Sequence, residues 1–377
     1  MGAFKWLGLF MVCVPLATAA APVPEGLRVR EGLRLSVFAD QLLNPRGMAL
    51  ASDGTVLVGT QNAGLVYALK DRDGDGVVDG RRIVADGLEG PTGIAVIGED
   101  LYVADMSRVL KYRGAAQWTS TNAQIAGEVI FDGFPKGDMH IWKTLKVGPE
   151  GKLYATVGVP CNSCEVSHPL HGRLVRMNPD GSGLEILASG LRNSMGFDFD
   201  PNDASLWLSD NGRDWLGDDV PPDELNHLNQ PGTDFGFPRC FGKSVLDPVF
   251  GKAGACESAQ APEWEFPAHV AALGIHFYRG TRLPAAYQGQ LLVAQHGSWN
   301  RSRPQGYRLV MIRFKSGHPV AEEPLIEGWL SDSGAVSGRP VDLLELKDGS
   351  VLLSDDLGGI LYRISPELSR TVSDREG

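Results

Sequence analysis

The hydrophobic and polar positions of this chain alternate in short bursts, and the bursts recur. Gly47-Met48-Ala49-Leu50 is followed by an Asp53-Gly54 turn and Val56-Leu57-Val58, and Gly93-Ile94-Ala95-Val96 by Leu101-Tyr102-Val103-Ala104-Asp105. Val147, a Gly148-Pro149-Glu150-Gly151 turn and the alternating Leu153, Ala155 and Val157 make a third copy. Gly196-Phe197-Asp198-Phe199 with Leu206-Trp207-Leu208-Ser209-Asp210 makes a fourth, and Gly274-Ile275-His276-Phe277-Tyr278 with Leu291-Leu292-Val293-Ala294 a fifth. The sixth runs from Val341-Asp342-Leu343-Leu344 through Asp348-Gly349 to Val351-Leu352-Leu353-Ser354-Asp355. Period-two apolar runs separated by Gly and Pro turns are the signature of β-strands. The copies start roughly 45 to 50 residues apart, apart from one longer step, which is the spacing of propeller blades. A single four-stranded sheet cannot bury both faces, whereas six packed around an axis can. The pattern therefore predicts an all-β chain folded as a six-bladed β-propeller, with the strand over 33–38 joining the last blade to lock the ring.

Composition agrees: 47 Gly and 24 Pro in 377 residues suit many short strands and turns. The net charge of -11 excludes a nucleic-acid partner, since nothing would neutralise phosphates. Residues 1–21 read as a secretory signal, with Lys5, an apolar run over 6–16 and a small-residue Ala17-Thr18-Ala19 cleavage site. That run is too short to span a bilayer, so the mature chain, 22–377, is expected to be periplasmic or secreted with no transmembrane span. Four cysteines then remain in an oxidising compartment, and bridges Cys161 to Cys164 and Cys240 to Cys256 are expected in preference to a zinc site.

Asp71-Arg72-Asp73-Gly74-Asp75-Gly76-Val77-Val78-Asp79 places carboxylates at alternate positions around a glycine turn. Asp71, Asp73, Asp75 and Asp79 are therefore candidate ligands of a structural calcium on an inter-strand loop. The alternative is an acidic hairpin turn, because the distal Glu of the usual twelve-residue loop is missing.

Propeller ligands bind where loops of successive blades converge on the axis. His140 precedes the third blade, Arg192-Asn193 the fourth, His269 the fifth and Arg339 the sixth; Asp210-Asn211-Gly212-Arg213 and His296-Gly297-Ser298-Trp299-Asn300-Arg301 follow strands of the fourth and fifth. Arginines, histidines and an asparagine in a shared phase suit an anionic ligand at the centre.

The order His140, Leu145, Gly148-Pro149, Gly151-Lys152-Leu153-Tyr154, Gly172-Arg173-Leu174, Leu191-Arg192-Asn193, Asp223-Glu224-Leu225-Asn226 and Asp234-Phe235-Gly236-Phe237-Pro238 resembles the soluble glucose/sorbosone dehydrogenase family. That family uses pyrroloquinoline quinone (PQQ) and calcium. The Cys161/Cys164 pair and the segment 296–301 resemble its sorbosone dehydrogenase-like branch. The resemblance covers nearly the whole mature chain and implies oxidation of an aldose or aldehyde sugar, with electrons passed to an external acceptor, a quinone or a cytochrome. It implies that His140 is the general base taking the anomeric hydroxyl proton while hydride passes to the quinone, and that Arg192 stabilises the charge that develops there. Asn193, His269 and Arg339 match cofactor contacts, and the backbone carbonyls of Gly212 and Arg213 match holders of the cofactor calcium. Three positions depart from the pattern. Val159 stands where glucose-oxidising members carry a carboxylate supporting the histidine, Pro91 where they carry a glutamine, and their cofactor lysine leaves only His296 or Arg301 to match it. Two other classes share this architecture: a metal-dependent sugar lactonase, which needs acidic and amide side chains on the axis, and a non-catalytic binding propeller.

Overall fold

The structure is a computed structural model that describes residues 21–119 and 125–367. The expected signal segment thus lies almost wholly outside the described residues. Six antiparallel sheets surround one axis, each beginning with the strand nearest it. Blade one comprises Pro45–Leu50, Val56–Thr60, Val66–Lys70 and Gly80–Ala85; blade two comprises Gly93–Ile97, Asp100–Ala104, Val109–Tyr112 and Glu128–Phe131. Blade three runs Leu145–Val147, Leu153–Val157, Arg173–Met177 and Glu185–Ser189, with Thr233–Asp234 added in parallel at its rim. Blade four contains Gly196–Phe199, Leu206–Asp210, Asp223–Leu228 and Trp264–Phe266. Blade five contains Ala272–Phe277, Leu291–Gln295, Arg308–Lys315 and His318–Glu327, with Arg28–Val29 on its outer edge. Blade six consists of Pro340–Glu345, Val351–Asp355 and Ile360–Pro366, and its fourth strand is Leu33–Ala39, from the other end of the chain. Leu35 pairs with Ile364 and Val37 with Tyr362, so the ring is closed by hydrogen bonds between the chain's two ends, as expected.

Each blade-to-blade interface has its own apolar cluster, because alternation sends every second side chain of a strand into the neighbouring sheet. Leu57 and Val66 of blade one, for example, are fully buried with Leu101 and Val103 of blade two. Each such side chain contributes on the order of 1.5–3 kcal/mol on burial. The glycines that open innermost strands have a steric cause. A Cβ on Gly47 would lie 2.1 Å from the Thr92 carbonyl oxygen, and one on Gly196 2.0 Å from that of Leu273. Only glycine lets neighbouring blades approach so closely at the axis.

Among the described residues the one helical element is a single 3-10 turn, Ala285–Tyr287, and no helix is long and apolar enough to cross a membrane. Both expected disulfides are formed: Cys161 to Cys164, and Cys240 to Cys256, which closes an insertion carrying the small ladder Cys240–Phe241 and Val245–Leu246. The acidic loop 71–79 joins the third and fourth strands of blade one. Carboxylate oxygens of Asp71, Asp73 and Asp75 lie within 4.8 Å of one another. Asp79 does not join them, because its Oδ1 accepts from the Arg72 Nε at 2.9 Å.

Candidate functional site

Antiparallel strand order sends two sets of loops to one end of the ring: those leading into each innermost strand and those joining the second strand to the third. They enclose an axial cavity of about 480 Å³, within the range of small-molecule sites. Blades one, three, four, five and six contribute Arg46, His140, Arg192, His296 and Arg339 to its wall, among others.

His140 has a backbone φ of 49°, uncommon for a residue with a Cβ and typical of functional positions. Its Nδ1–H donates to the Val159 carbonyl oxygen at 2.9 Å. A carbonyl only accepts, so the proton is on Nδ1 and Nε2 carries the lone pair. Burial, reinforced by the Arg192 charge, pushes the imidazole down to about 3, which keeps it neutral near pH 7. Val159 thus orients the ring with its backbone where the resembled enzymes use a carboxylate.

Arg192 is held on several sides. Its Nε donates to the Asn162 carbonyl at 2.8 Å, Nη1 to the Asn211 carbonyl at 3.2 Å, and Nη2 to Asn162 Oδ1 at 2.8 Å and Asp214 Oδ2 at 2.9 Å. Four of its five N–H groups are spent on fixing its plane, leaving one on Nη1. Asp210 accepts the backbone N–H groups of Arg192 and Asn193 at 2.8 and 2.7 Å, which anchors the turn that presents both residues. The Asn193 Oδ1 is buried without a partner.

On the side formed by blades one, five and six, positive charge exceeds negative. His296 Nε2 lies 3.0 and 3.1 Å from the two Asp356 oxygens, and Arg46 Nε lies 3.3 Å from Asp356 Oδ2. Arg339 donates to the His296 and Gly297 carbonyls at 3.2 and 2.6 Å. Arg46 is 5% exposed, stands 5.5 Å from the centre of the Trp142 ring, and leaves Nε and Nη1 without a hydrogen bond. Burial works against its charge, and Asp356 only offsets this. An unsatisfied buried guanidinium lining a cavity is strongly favoured to bind an anion there.

Blade four makes the opposite wall. Asp223 accepts from the Gly212 and Ala271 N–H groups at 2.8 and 2.7 Å, yet burial pushes its carboxyl up to about 7. Burial also raises Asp210, and burial with repulsion from Asp210 and Asp223 raises Glu224. Among the described residues nothing donates to the Gly212 and Arg213 carbonyl oxygens. Free carbonyls beside buried carboxylates are the donor set of a hard divalent cation, which would draw the protons off those acids.

Of the residues expected at the site, His140, Arg192, Asn193, Gly212, His269, His296 and Arg339 line the cavity. His269 has a φ of 64° and bonds through Nε2 to the Gly217 carbonyl at 2.9 Å. Arg301 is outside the lining. It donates to the Asp218 carbonyl, to Asp219 Oδ1 at 3.2 Å and to the Arg303 carbonyl at 3.1 Å, so it braces loops. Arg213 is also outside the lining, and its side chain turns away to Asp247, at 2.5 Å. Pro91 does not line the cavity, and Gln61 does. Sequence reasoning missed Arg46, Asp214 and Asp356, and named Asp223 and Asn300 within longer segments without giving either a role. Arg46 gave no phase signal: it is the second residue of its innermost strand, Pro45–Leu50, whereas Arg192 and Arg339 precede theirs.

A family model described as a domain of unknown function, DUF7133, matches residues 58–298. A Borreliella burgdorferi protein described as uncharacterized is 31% identical over 373 residues, covering 96% of both chains. Among solved structures, the holo PQQ domain of a pyranose dehydrogenase from Coprinopsis cinerea superposes with a TM-score of 0.75 at 20% identity, covering 91% of this chain and 98% of that one. A calcium structure of a Trichoderma reesei carbohydrate-active enzyme of family AA12 gives 0.77 at 19%, covering 91% and 97%. The PQQ-bound aldose sugar dehydrogenase of Streptomyces coelicolor gives 0.65 at 21%, covering 90% and 100%. These likenesses establish a shared propeller fold.

Proposed function

The chain belongs to the DUF7133 family, a description that carries no activity, and from its site we propose a PQQ-dependent dehydrogenase that oxidises an aldose or aldehyde sugar such as sorbosone. One observation carries this reading: a neutral imidazole with a free Nε2 and a buried guanidinium with unspent donors line the same cavity. The names of the structural neighbours in Coprinopsis cinerea and Streptomyces coelicolor point the same way.

The residues fit the cofactor. Arg46 and Arg339, with His296 beside them, would hold the quinone's carboxylates, and the orphaned Asn193 Oδ1 offers an acceptor. The Gly212 carbonyl, on the cavity wall, would hold calcium, with the Arg213 carbonyl next to it in sequence. Bound there, the group would supply an electrophilic carbonyl able to accept two electrons from the sugar. Nε2 of His140 takes the proton of the anomeric hydroxyl, and Nδ1, tied to the Val159 carbonyl, keeps the ring in that tautomer. Arg192 presents its remaining N–H and its charge to the oxygen on which negative charge develops, with its plane already set by Asn162 and Asp214. An external acceptor, in a periplasmic or secreted setting, would then be needed to take the two electrons.

The deciding experiment is titration of cofactor-free mature chain with PQQ and calcium, following the absorption spectrum, then dye reduction across a panel of aldoses. Saturable binding with sugar-dependent reduction is expected. Absence of binding at micromolar cofactor would remove the reading.

A further inference from the structure

The mouth of the cavity carries a feature that oxidation at the axis does not use. Trp215 and Trp299 are 66% and 63% exposed, and their rings meet edge to face at 5.2 Å. Trp299 lines the cavity; Trp215 stands just beyond it. Trp215 is held at a φ of 69°, costly for a bulky side chain. Its loop is pinned on both flanks. Asn162 Nδ2 donates to the Asp214 carbonyl at 3.0 Å, Asn300 Nδ2 to Asp214 Oδ1 at 2.9 Å, and the Ser302 N–H to Asp218 Oδ1 at 3.0 Å. Two indoles kept in water by a braced, strained loop form a preorganised surface.

The polar groups beside this corner select its occupant. Asn300 points its amide nitrogen at a carboxylate, which only accepts, so its Oδ1 is settled as the other arm, and that oxygen has no partner. The Oδ1 of Asn211, a residue 8% exposed in the same wall, is also unpartnered. These oxygens require a donor. A quinone acceptor offers only carbonyl oxygens along its edge, and an anionic group likewise only accepts. A neutral saccharide offers both parts: a C–H face to stack on indole and a rim of hydroxyl donors.

We propose that Trp215, Trp299 and Asn300 form a second sugar subsite, for the residue glycosidically linked to the one oxidised at the axis. The preferred substrate is then a di- or oligosaccharide with a free reducing end. This rests on the sugar-dehydrogenase reading above.

The test compares holoenzyme and its Trp215→Ala variant on glucose, maltose, cellobiose and maltotriose, glucose being too short to reach Trp215. The wild type should show kcat/KM about tenfold higher for its preferred disaccharide than for glucose, and the variant should lose that gain with glucose turnover unchanged. Quenching of tryptophan emission by maltotriose or cellobiose in the cofactor-free chain should fall in the variant. An unchanged disaccharide-to-glucose ratio overturns the subsite while leaving the dehydrogenase standing. A changed KM for the electron acceptor with every sugar also overturns it, making the corner an acceptor dock. If no sugar is oxidised yet Trp215-dependent quenching persists, the subsite stands and the dehydrogenase falls; loss of both signals removes both.

Discussion

His140 and His276 occupy opposite ends of the same axis, and their surroundings treat positive charge in opposite ways. At the far end, His276 lies 3.0 Å from Glu345 Oε2 and 3.3 Å from Asp198 Oδ2, while Arg279 Nη2 meets Asp198 Oδ1 at 2.9 Å. Two carboxylates outweigh burial there, and the His276 pKa rises above its ordinary value. At the cavity end, burial and Arg192 push His140 the other way, and Arg46 keeps unspent donors. The far end is a finished ion network joining blades four, five and six. The cavity end is electrostatically incomplete, which is what a site awaiting a charged ligand looks like.

The contrast can be broken at either end. Replacing His140 with Ala should lower kcat by about 10²–10⁴-fold while cofactor binding, read from the absorption spectrum, survives. In the unmodified enzyme the acid limb of the rate profile set by His140 should fall near pH 3, since the base is lost only as it protonates there. At the other end, Asp198→Asn leaves His276 and Arg279 facing each other with less compensation. Thermal and urea denaturation should report a loss of about 3 kcal/mol, with little change in cofactor affinity. The reverse outcome, lost affinity with unchanged stability, would erase the distinction between the two ends.

Smaller effects sharpen it. Arg46→Gln should raise the cofactor dissociation constant about tenfold in a binding titration, as expected for losing a charge-assisted hydrogen bond. The stability of the fold should change little, since the lost Asp356 contact is offset by removal of a buried guanidinium with unspent donors, and Asp356 keeps His296. His276, with its folded pKa raised, contributes stability that is fully present below its unfolded value near 6.5 and is lost as pH rises through the folded value. Asp223, raised to about 7, acts in the same direction between about pH 4 and 7. The urea midpoint of His276→Gln should therefore lie below that of the wild type at pH 6 and approach it as the pH rises above 7, isolating the histidine from the carboxyl.

Much of this arrangement was legible along the chain because strand alternation and blade phase are local properties. Arg192, His269 and Arg339 shared one phase and do meet at the axis. Arg301 lay in a loop of the right phase but is spent on Asp218 and Asp219, since phase selects a loop and not the direction of a long side chain within it. Asp79 failed to join Asp71, Asp73 and Asp75 for a similar reason: Arg72, one residue past Asp71, reaches it first. Val159 presented the hardest case. Its side chain says nothing of orienting a histidine, and every residue has the carbonyl that performs the task.

Period-two alternation, turn glycines and cysteine spacing thus determined the sheets, their number, the closing strand and both disulfides, because each depends on neighbours in sequence or on a repeat. Tertiary structure alone decided which buried charges were satisfied. His276 and Glu345 are 69 residues apart, and His296 and Asp356 are 60 apart. Whether a group is left with spare hydrogen-bonding capacity depends on distances of about an ångström between loops that only the closed ring brings together.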